Sequence, residues 1–144
     1  MWKEHPKIHY LLDDVVEIDG KKFYGSPWCP NLSNWAFYKS SNELIERFSK
    51  IPDCDVLLTH CPPQIGYAGT VLETNYNYMR DFGCNELRNC LNDKKIDWII
   101  SGHIHSGDHK ITKYFNGVKD INVVNVSIKN EAYNITYKPF KFEI

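Results

Sequence analysis

Two histidine motifs, each directly after a short apolar run, constrain this chain more than any other feature. Thr59-His60-Cys61-Pro62-Pro63 follows the run Cys54–Leu58, and Ser101-Gly102-His103-Ile104-His105 follows the run Ile96–Ile100. Apolar runs of this length, bounded by glycine or proline, are typical of buried strands. In α/β sheets the carboxyl ends of such strands carry the ligands. We therefore expect both motifs to lie where the sheet binds its ligand.

The histidines themselves indicate a metal site. His103 and His105 are one residue apart, so in an extended loop their imidazoles point the same way. We expect the flanking Gly102 and Gly107 to permit the sharp turn of that loop. Neutral imidazoles are good ligands for borderline metals such as Mn, Fe, Zn or Ni. A single histidine after a strand, such as His60, is more often structural, and it is the combination of both motifs that favours a metal site.

The composition fits one domain and excludes several classes of protein. The chain has 144 residues, 42% of them hydrophobic, and a net charge of -1, which suits a single core but not two domains. It has no Lys/Arg run, which argues against general nucleic-acid binding. It has neither a stretch that could cross a bilayer nor a signal-peptide pattern at the N-terminus. An odd number of cysteines without paired CxxC spacing fits reduced thiols, so we expect a cytoplasmic protein without membrane contact.

Helix and strand patterns alternate early, and strands dominate late, which predicts an α/β sandwich. Ser40 and Glu43 have the spacing of a capping box, which predicts a helix from Ser40 to about Lys50. A second helix is predicted over residues 85–94, and a long loop, of a length that is usually functional or disordered, over residues 61–82. Strands are expected over residues 8–18 (an irregular pair turning at Asp13-Asp14), 22–25, 35–38, 56–59, 98–101, 110–115, 121–126 and 134–144.

The two histidine motifs resemble the last two signature blocks of the calcineurin-like metallophosphoesterases. Three further segments are similar to the UPF0046-like, metallophosphoesterase-domain-containing branch: Tyr24-Gly25-Ser26-Pro27-Trp28, Asn125-Val126-Ser127, and Asn130-Glu131-Ala132-Tyr133 with the ending 139–144. The resemblance runs from about Ile8 to the C-terminus. It implies an α/β fold in which residues 1–144 are a single partial domain, the C-terminal half of a metallophosphoesterase β-sandwich flanked by helices.

The resemblance also implies a chemistry. In that family two divalent metals activate a water for attack on phosphorus. Matching positions make His60 and His103 ligands of one metal and His105 a ligand of the other, with Mn, Fe, Zn or Ni as the metal. The implied substrate is a small phosphomonoester or phosphodiester such as a nucleotide. Cyclic nucleotides belong to this implied class. The family's upstream Asp-x-His, bridging Asp and Asn-His blocks do not occur in this chain. The dinuclear site that the resemblance implies is therefore incomplete, and no catalytic residue is assigned. We expect the chain to be inactive alone.

Two other functions stay open. Loss of the upstream half implies an exposed sheet edge that self-association or a partner chain covers. The alternative function is therefore a non-catalytic protein-binding scaffold, a use to which one retromer subunit puts this fold. The second open function is that of a mononuclear metal protein, in which the three histidines bind one metal ion.

Several other residues carry two interpretations each. Cys61, beside His60, is either a thiolate ligand or a small buried residue that fits the turn. Trp28, Trp35 and Tyr38 either stack against a base or pack in the core. Residues 75–78 either contact substrate or form an ordinary polar loop.

Overall fold

The chain folds into a mixed sheet with short helices. The structure is a computed structural model that describes residues 5–73, 78–105 and 109–144. The described strands are β1 (Asp14–Ile18), β2 (Lys21–Ser26), β3 (Cys54–Thr59), β4 (Thr70–Glu73), β5 (Tyr78–Asp81), β6 (Ile96–Ser101), β7 (Thr112–Phe115) and β8 (Asp120–Asn125), and the described helices are α1 (Ser41–Ser49) and α2 (Asn85–Asn89). The predicted α/β class is confirmed. Neither described helix is long and apolar enough to cross a membrane.

The sheet brings the carboxyl ends of four strands to one edge. Within the described chain, six strands form one sheet in the order β1-β2-β3-β6-β8-β7, and β4 and β5 pair in a separate hairpin. β2, β3, β6 and β8 are parallel neighbours. β1 and β7 are the two edge strands of this sheet. β1 pairs antiparallel with β2, and β7 pairs antiparallel with β8. Since the histidine motifs follow β3 and β6, both lie at the edge where the parallel strands end.

Helix α1 begins where the sequence predicts. Glu43 Oε2 accepts hydrogen bonds from the backbone N–H of Ser40, at 3.0 Å, and from its hydroxyl, at 2.7 Å. This confirms the predicted capping box, which satisfies an N–H group left open at the helix start. The same two contacts lower the pKa of Glu43 to about 2. Leu44 and Phe48 are buried in the main core, whereas Ile45 is 49% exposed.

The two faces of the six-stranded sheet are covered differently. On one face the strands share a core with both helices, and the strand residues fully buried there include Leu57, Ile99 and Val123. On the other face a smaller cluster is covered by aromatic residues near the C-terminus. Phe142 and Phe140 lie 5.1 and 6.3 Å from the Trp98 ring, centroid to centroid. The C-terminal segment therefore covers part of this second face.

The N-terminal hairpin differs from the prediction for residues 8–18. β1 and β2 are joined by Asp19 and Gly20, whose φ angles are 51° and 77°. Positive φ at both central residues defines a type I′ turn, for which Asp-Gly is a preferred sequence. The predicted turn at Asp13-Asp14 is wrong, because Asp13 is the point where the chain bends into β1. The described residues before it form no strand.

Other predicted elements also need correction. The stretch 61–82, expected to be a loop, contains the β4–β5 hairpin. Residues 35–38 form turns that end in a bridge between Cys29 and Tyr38, and α2 ends at Asn89, with turns in place of its predicted last residues.

The C-terminal prediction is wrong for a different reason. Among the described residues, 134–144 contain no strand apart from a bridge at Ile135. The alternating pattern there has no neighbouring strand to pair with, and Pro139 has no N–H to donate to one.

Candidate metal centre

The sheet register places two of the predicted ligands side by side. Thr59 and Ser101, the last residues of β3 and β6, are direct partners in the parallel ladder. The ladder continues one step further, because the Gly102 N–H donates to the His60 carbonyl at 3.2 Å. The imidazole rings of His60 and His103 then lie 4.7 Å apart, centroid to centroid, with 57° between their planes. Two residues that are distant in sequence thus form one pair of nitrogen donors.

The turn that positions His103 differs from the prediction. His103 itself has a positive φ of 67°, a conformation that is uncommon for a residue other than glycine and is frequent at functional sites. Gly102 lies outside the positive-φ region, so its predicted role in the turn is wrong. Gly107, the other glycine of that prediction, lies outside the described residues.

His105, the third predicted ligand, contacts an aromatic residue of the C-terminal segment. Its ring meets the ring of Tyr133 edge-on, with 5.0 Å between centroids and an interplanar angle of 88°. It is nevertheless close enough for its charge to act on the other two imidazoles. The structure therefore brings His60 and His103 together and leaves His105 in electrostatic range of both.

The surroundings favour the neutral form of both imidazoles. Burial lowers the pKa of His60, although its ring is open to solvent, and a positive charge on His105 lowers it further. Burial also lowers the pKa of the half-buried His103, with smaller effects from His60 and His105. A neutral imidazole has a free lone pair, which is the form that binds a metal.

The donor set fits part of a metal site. Neutral imidazoles suit Zn, Fe or Ni, whereas Mn prefers oxygen donors. Across residues 5–73, 78–105 and 109–144, no group of three or more His, Cys, Asp or Glu side chains is arranged to hold a cation. His60 and His103 could therefore contribute two nitrogen ligands, and a complete coordination sphere needs further donors.

Asn125 positions the histidine loop, a role that sequence reasoning did not assign. Its side chain is buried, and its amide nitrogen donates to the carbonyl of Ile104 at 2.7 Å and to that of Ala68 at 3.1 Å. Its Oδ1 accepts from the backbone N–H of Ser127 at 2.9 Å. Because Ile104 stands between His103 and His105, Asn125 fixes the backbone that carries both imidazoles. The Asn125-Val126-Ser127 segment supports the family resemblance, but its sequence alone does not predict that Asn125 contacts the histidine loop.

Two cavities border this centre. The larger, of about 770 Å³, is lined by His105 together with Tyr67, Thr70, Val71, Met79, Lys110, Asn130, Glu131, Ala132 and Tyr137. The smaller, of about 370 Å³, is lined by His103, Val71, Phe82, Ile104 and Glu131. The Lys110 ammonium lies 5.0 Å from the Tyr67 ring, so the larger cavity combines a positive charge with aromatic surface.

Cys61 is a buried residue of the turn. It is 1% exposed, and its thiol donates to the carbonyl of Pro62 at 3.5 Å. Its contact with the Cys84 thiol and its burial both raise its pKa far above the ordinary value. A thiol that is inaccessible and protonated is a poor ligand, so the structure favours the packing interpretation.

The aromatic candidates lie away from the cavities of the centre. Trp28 is half-buried: its ring packs on Arg47, 4.0 Å from the guanidinium carbon, and on Phe37. Trp35 is 59% exposed, and neither tryptophan lines either cavity. Tyr38 pairs with Cys29. Of the candidate residues 75–78, only Tyr78 lies among the described residues, in β5.

Comparisons with known proteins point in one direction. The sequence model of the family described as calcineurin-like phosphoesterase matches residues 8–107. A UPF0046 protein of Caenorhabditis elegans is 33% identical over 138 residues, which are 94% of this chain and 32% of the relative. Human metallophosphoesterase domain-containing protein 1 is 36% identical over 101 residues, which are 68% of this chain and 29% of the relative. This chain thus spans about a third of the length of these relatives.

Proposed function

We propose a role in metal-dependent phosphoester hydrolysis for this chain, which belongs to the calcineurin-like phosphoesterase family. The substrate class that we propose is a small phosphomonoester or phosphodiester, such as a nucleotide. His60, His103 and His105 are the proposed metal ligands. When bound, the metal would supply an activated water and stabilise charge on the phosphoryl oxygens.

One observation supports this proposal most strongly. The imidazoles of His60 and His103 lie 4.7 Å apart at the ends of adjacent parallel strands, and their surroundings lower both pKa values. Two neutral nitrogen donors at the carboxyl edge of a sheet form a ready metal-binding pair. The adjoining cavity of about 770 Å³ has room for a small ester, with Lys110 as a positive charge on its wall.

The proposal includes a requirement for further ligands. The three histidines offer only nitrogen, and a two-metal phosphoesterase centre needs shared oxygen ligands to hold its metals close together. We therefore propose that hydrolysis requires further carboxylates from outside residues 1–144. The relatives extend far beyond the region that this chain matches, so their remaining residues can be tested as a source of these carboxylates.

The test measures hydrolysis of a chromogenic phosphodiester in separate assays with Zn²⁺, Ni²⁺ and Mn²⁺. The full chain is assayed alone and after mixing with the part of the Caenorhabditis elegans relative that lies outside the matched region. His103→Ala removes one ligand, and His9→Ala, which removes an exposed histidine outside the centre, is the matched control.

We expect background hydrolysis by the chain alone and turnover in the mixture. His103→Ala abolishes that turnover and His9→Ala keeps it. Absence of turnover in a mixture in which the two polypeptides bind each other contradicts the proposed function. Turnover by the chain alone that disappears in His103→Ala supports the hydrolase but contradicts the need for carboxylates from outside residues 1–144.

One observation favours the alternative of a non-catalytic scaffold. Large apolar side chains are exposed by 42% to 48% along the N-terminal segment and β1, at Ile8, Tyr10, Leu12, Val15 and Ile18. Apolar surface next to an edge strand invites pairing with another chain, most simply a second copy. Light scattering then detects a dimer that Val15→Lys weakens and His103→Ala preserves. A monomer at all concentrations contradicts self-association.

A further inference from the structure

Glu131 lies at the meeting point of the two cavities beside the histidines. It lines the cavity of about 770 Å³ that borders His105 and also the cavity of about 370 Å³ that borders His103. Val71 is the other lining residue that the two cavities share. Among the described residues that line them, Glu131 is the one acidic side chain, so it is the carboxylate best placed to reach this centre.

The loop that carries Glu131 has a fixed backbone. Asn130 Oδ1 accepts hydrogen bonds from the backbone N–H groups of Ala132 and Asn134, at 3.0 and 3.1 Å. The Ile128 carbonyl accepts from Thr136 and Tyr137 at 2.9 and 3.0 Å, which closes the loop at its base. Glu131 therefore projects from a defined turn.

The same loop contacts the histidines directly. Tyr133, two residues after Glu131, meets the His105 ring edge-on at 5.0 Å. Its φ is +60°, an unusual value for an aromatic residue and one that surrounding contacts must stabilise. Both this loop and the histidine loop thus have a residue in the left-handed region next to the centre, Tyr133 in one and His103 in the other.

We infer that Glu131 supplies a carboxylate ligand to a divalent cation held by His103 and His105. Two imidazoles and one carboxylate form a familiar three-ligand set for Zn and related metals, and the carboxylate offers the oxygen donor that the histidines lack. In the described residues these groups are not yet arranged around a cation, so binding requires the exposed Glu131 side chain to rotate towards the imidazoles. This inference rests on the proposed function.

The test is a titration of the metal-free full chain with Co²⁺, a spectroscopic substitute for Zn²⁺, followed by visible absorption. Glu131→Gln keeps the size of the side chain and removes the charge. Glu143→Gln is the matched control, because Glu143 is an exposed C-terminal carboxylate that lines a different cavity, beside Trp98. His103→Ala measures the loss of a nitrogen ligand.

We expect Glu131→Gln to weaken Co²⁺ binding at least about tenfold and to change the absorption spectrum, with Glu143→Gln identical to the parent chain. If His103→Ala loses Co²⁺ while Glu131→Gln binds it like the parent, the histidines bind metal without Glu131 and the inference is wrong, although the proposed function stands. If the parent chain binds no Co²⁺, or all variants bind it equally, the inference is wrong, whereas the proposed function, which requires further ligands, is decided by the hydrolysis assay.

Discussion

The indole Nε1 of Trp28 donates a hydrogen bond of 2.6 Å to Asp13 Oδ2. The same carboxylate oxygen accepts from Arg47 at 2.9 Å, and the other oxygen accepts from the Ser26 hydroxyl at 2.8 Å. Asp13 therefore ties together the segment before β1, the end of β2 and helix α1. Arg47 is held on both sides, because its guanidinium also packs on the Trp28 ring.

Substitution of Asp13 should loosen this connection. Asn tolerates the positive φ of Asp13, so Asp13→Asn changes the charge and hydrogen bonding without straining the backbone. We expect a loss of about 1–2 kcal/mol in the free energy of unfolding, since hydrogen bonds to charged groups contribute more than neutral ones. Urea unfolding followed by fluorescence measures it, and the exposed Asp14→Asn serves as control. Equal stability of the two variants would refute a connecting role for Asp13.

Gly83 should tolerate no side chain. A Cβ at this position would lie 2.5 Å from the carbonyl oxygen of Pro63 and 2.7 Å from the backbone nitrogen of Gln64. That backbone closely follows His60, so Gly83→Ala must displace the segment after a proposed ligand. We expect a destabilisation of about 1–3 kcal/mol, measured by thermal unfolding. Gly102→Ala is the control, because a Cβ there meets no atom within 4 Å; a Gly83→Ala chain as stable as that control would contradict the close approach.

Thr59→Val should stabilise the protein. Thr59 Oγ1 is the one buried side-chain polar atom among the described residues that has no hydrogen-bond partner. Valine keeps the branched shape and removes the unsatisfied hydroxyl, so we expect a gain of roughly 1 kcal/mol in the free energy of unfolding. Ser101→Ala is a matched comparison on the neighbouring strand, where the hydroxyl donates to the Val124 carbonyl at 3.4 Å. A loss of stability in Thr59→Val would contradict the prediction that this hydroxyl is unsatisfied in the folded protein.

The histidine pair should make the metal-free protein sensitive to mild acid. The pKa values of His60 and His103 lie below the ordinary value in the folded state, so the unfolded chain binds more protons. Stability is therefore complete above the unfolded pKa of about 6.5 and falls as the pH drops through the window between that value and the lowered folded pKa values.

Urea midpoints at several pH values between 7.5 and 5 measure this effect. We expect His103→Gln to flatten the pH dependence, because the substituted side chain takes up no proton in either state. His9→Gln removes an exposed imidazole outside the centre and controls for the loss of one histidine. An unchanged slope in His103→Gln would show that other groups cause the acid sensitivity.

The sequence predicts the parts of the centre that depend on local pattern. β3 and β6 are mainly apolar runs, each with one aspartate near its start, and α1 begins at a capping box, so each is specified by its own residues. The pairing of His60 with His103 also follows, because parallel strands end at the same edge. Metal binding by these histidines stays a prediction.

Features that depend on contacts between residues distant in sequence could not be predicted from the sequence. Nothing local indicates that Asn125 holds the backbone between His103 and His105, or that the loop with Glu131 and Tyr133 folds back onto them. The apolar alternation after residue 134 fits a strand, but a strand needs a partner, and these residues pack aromatic rings on the sheet face instead. The Asp19-Gly20 turn, by contrast, is a local signal that alone was sufficient to place the first hairpin.

The burial of two cysteines at the ends of β3 allows the local unfolding of this strand to be measured by thiol labelling. Cys54 and Cys61 lie at the start of β3 and just after its end, both are at most 5% exposed, and burial contributes to raising the pKa of each thiol. A maleimide can modify them only after the strand that carries His60 has separated from its neighbours. Cys90, which is only partly buried, reacts without that event. The labelling rate of Cys54 and Cys61 relative to that of Cys90 therefore measures how often β3 opens.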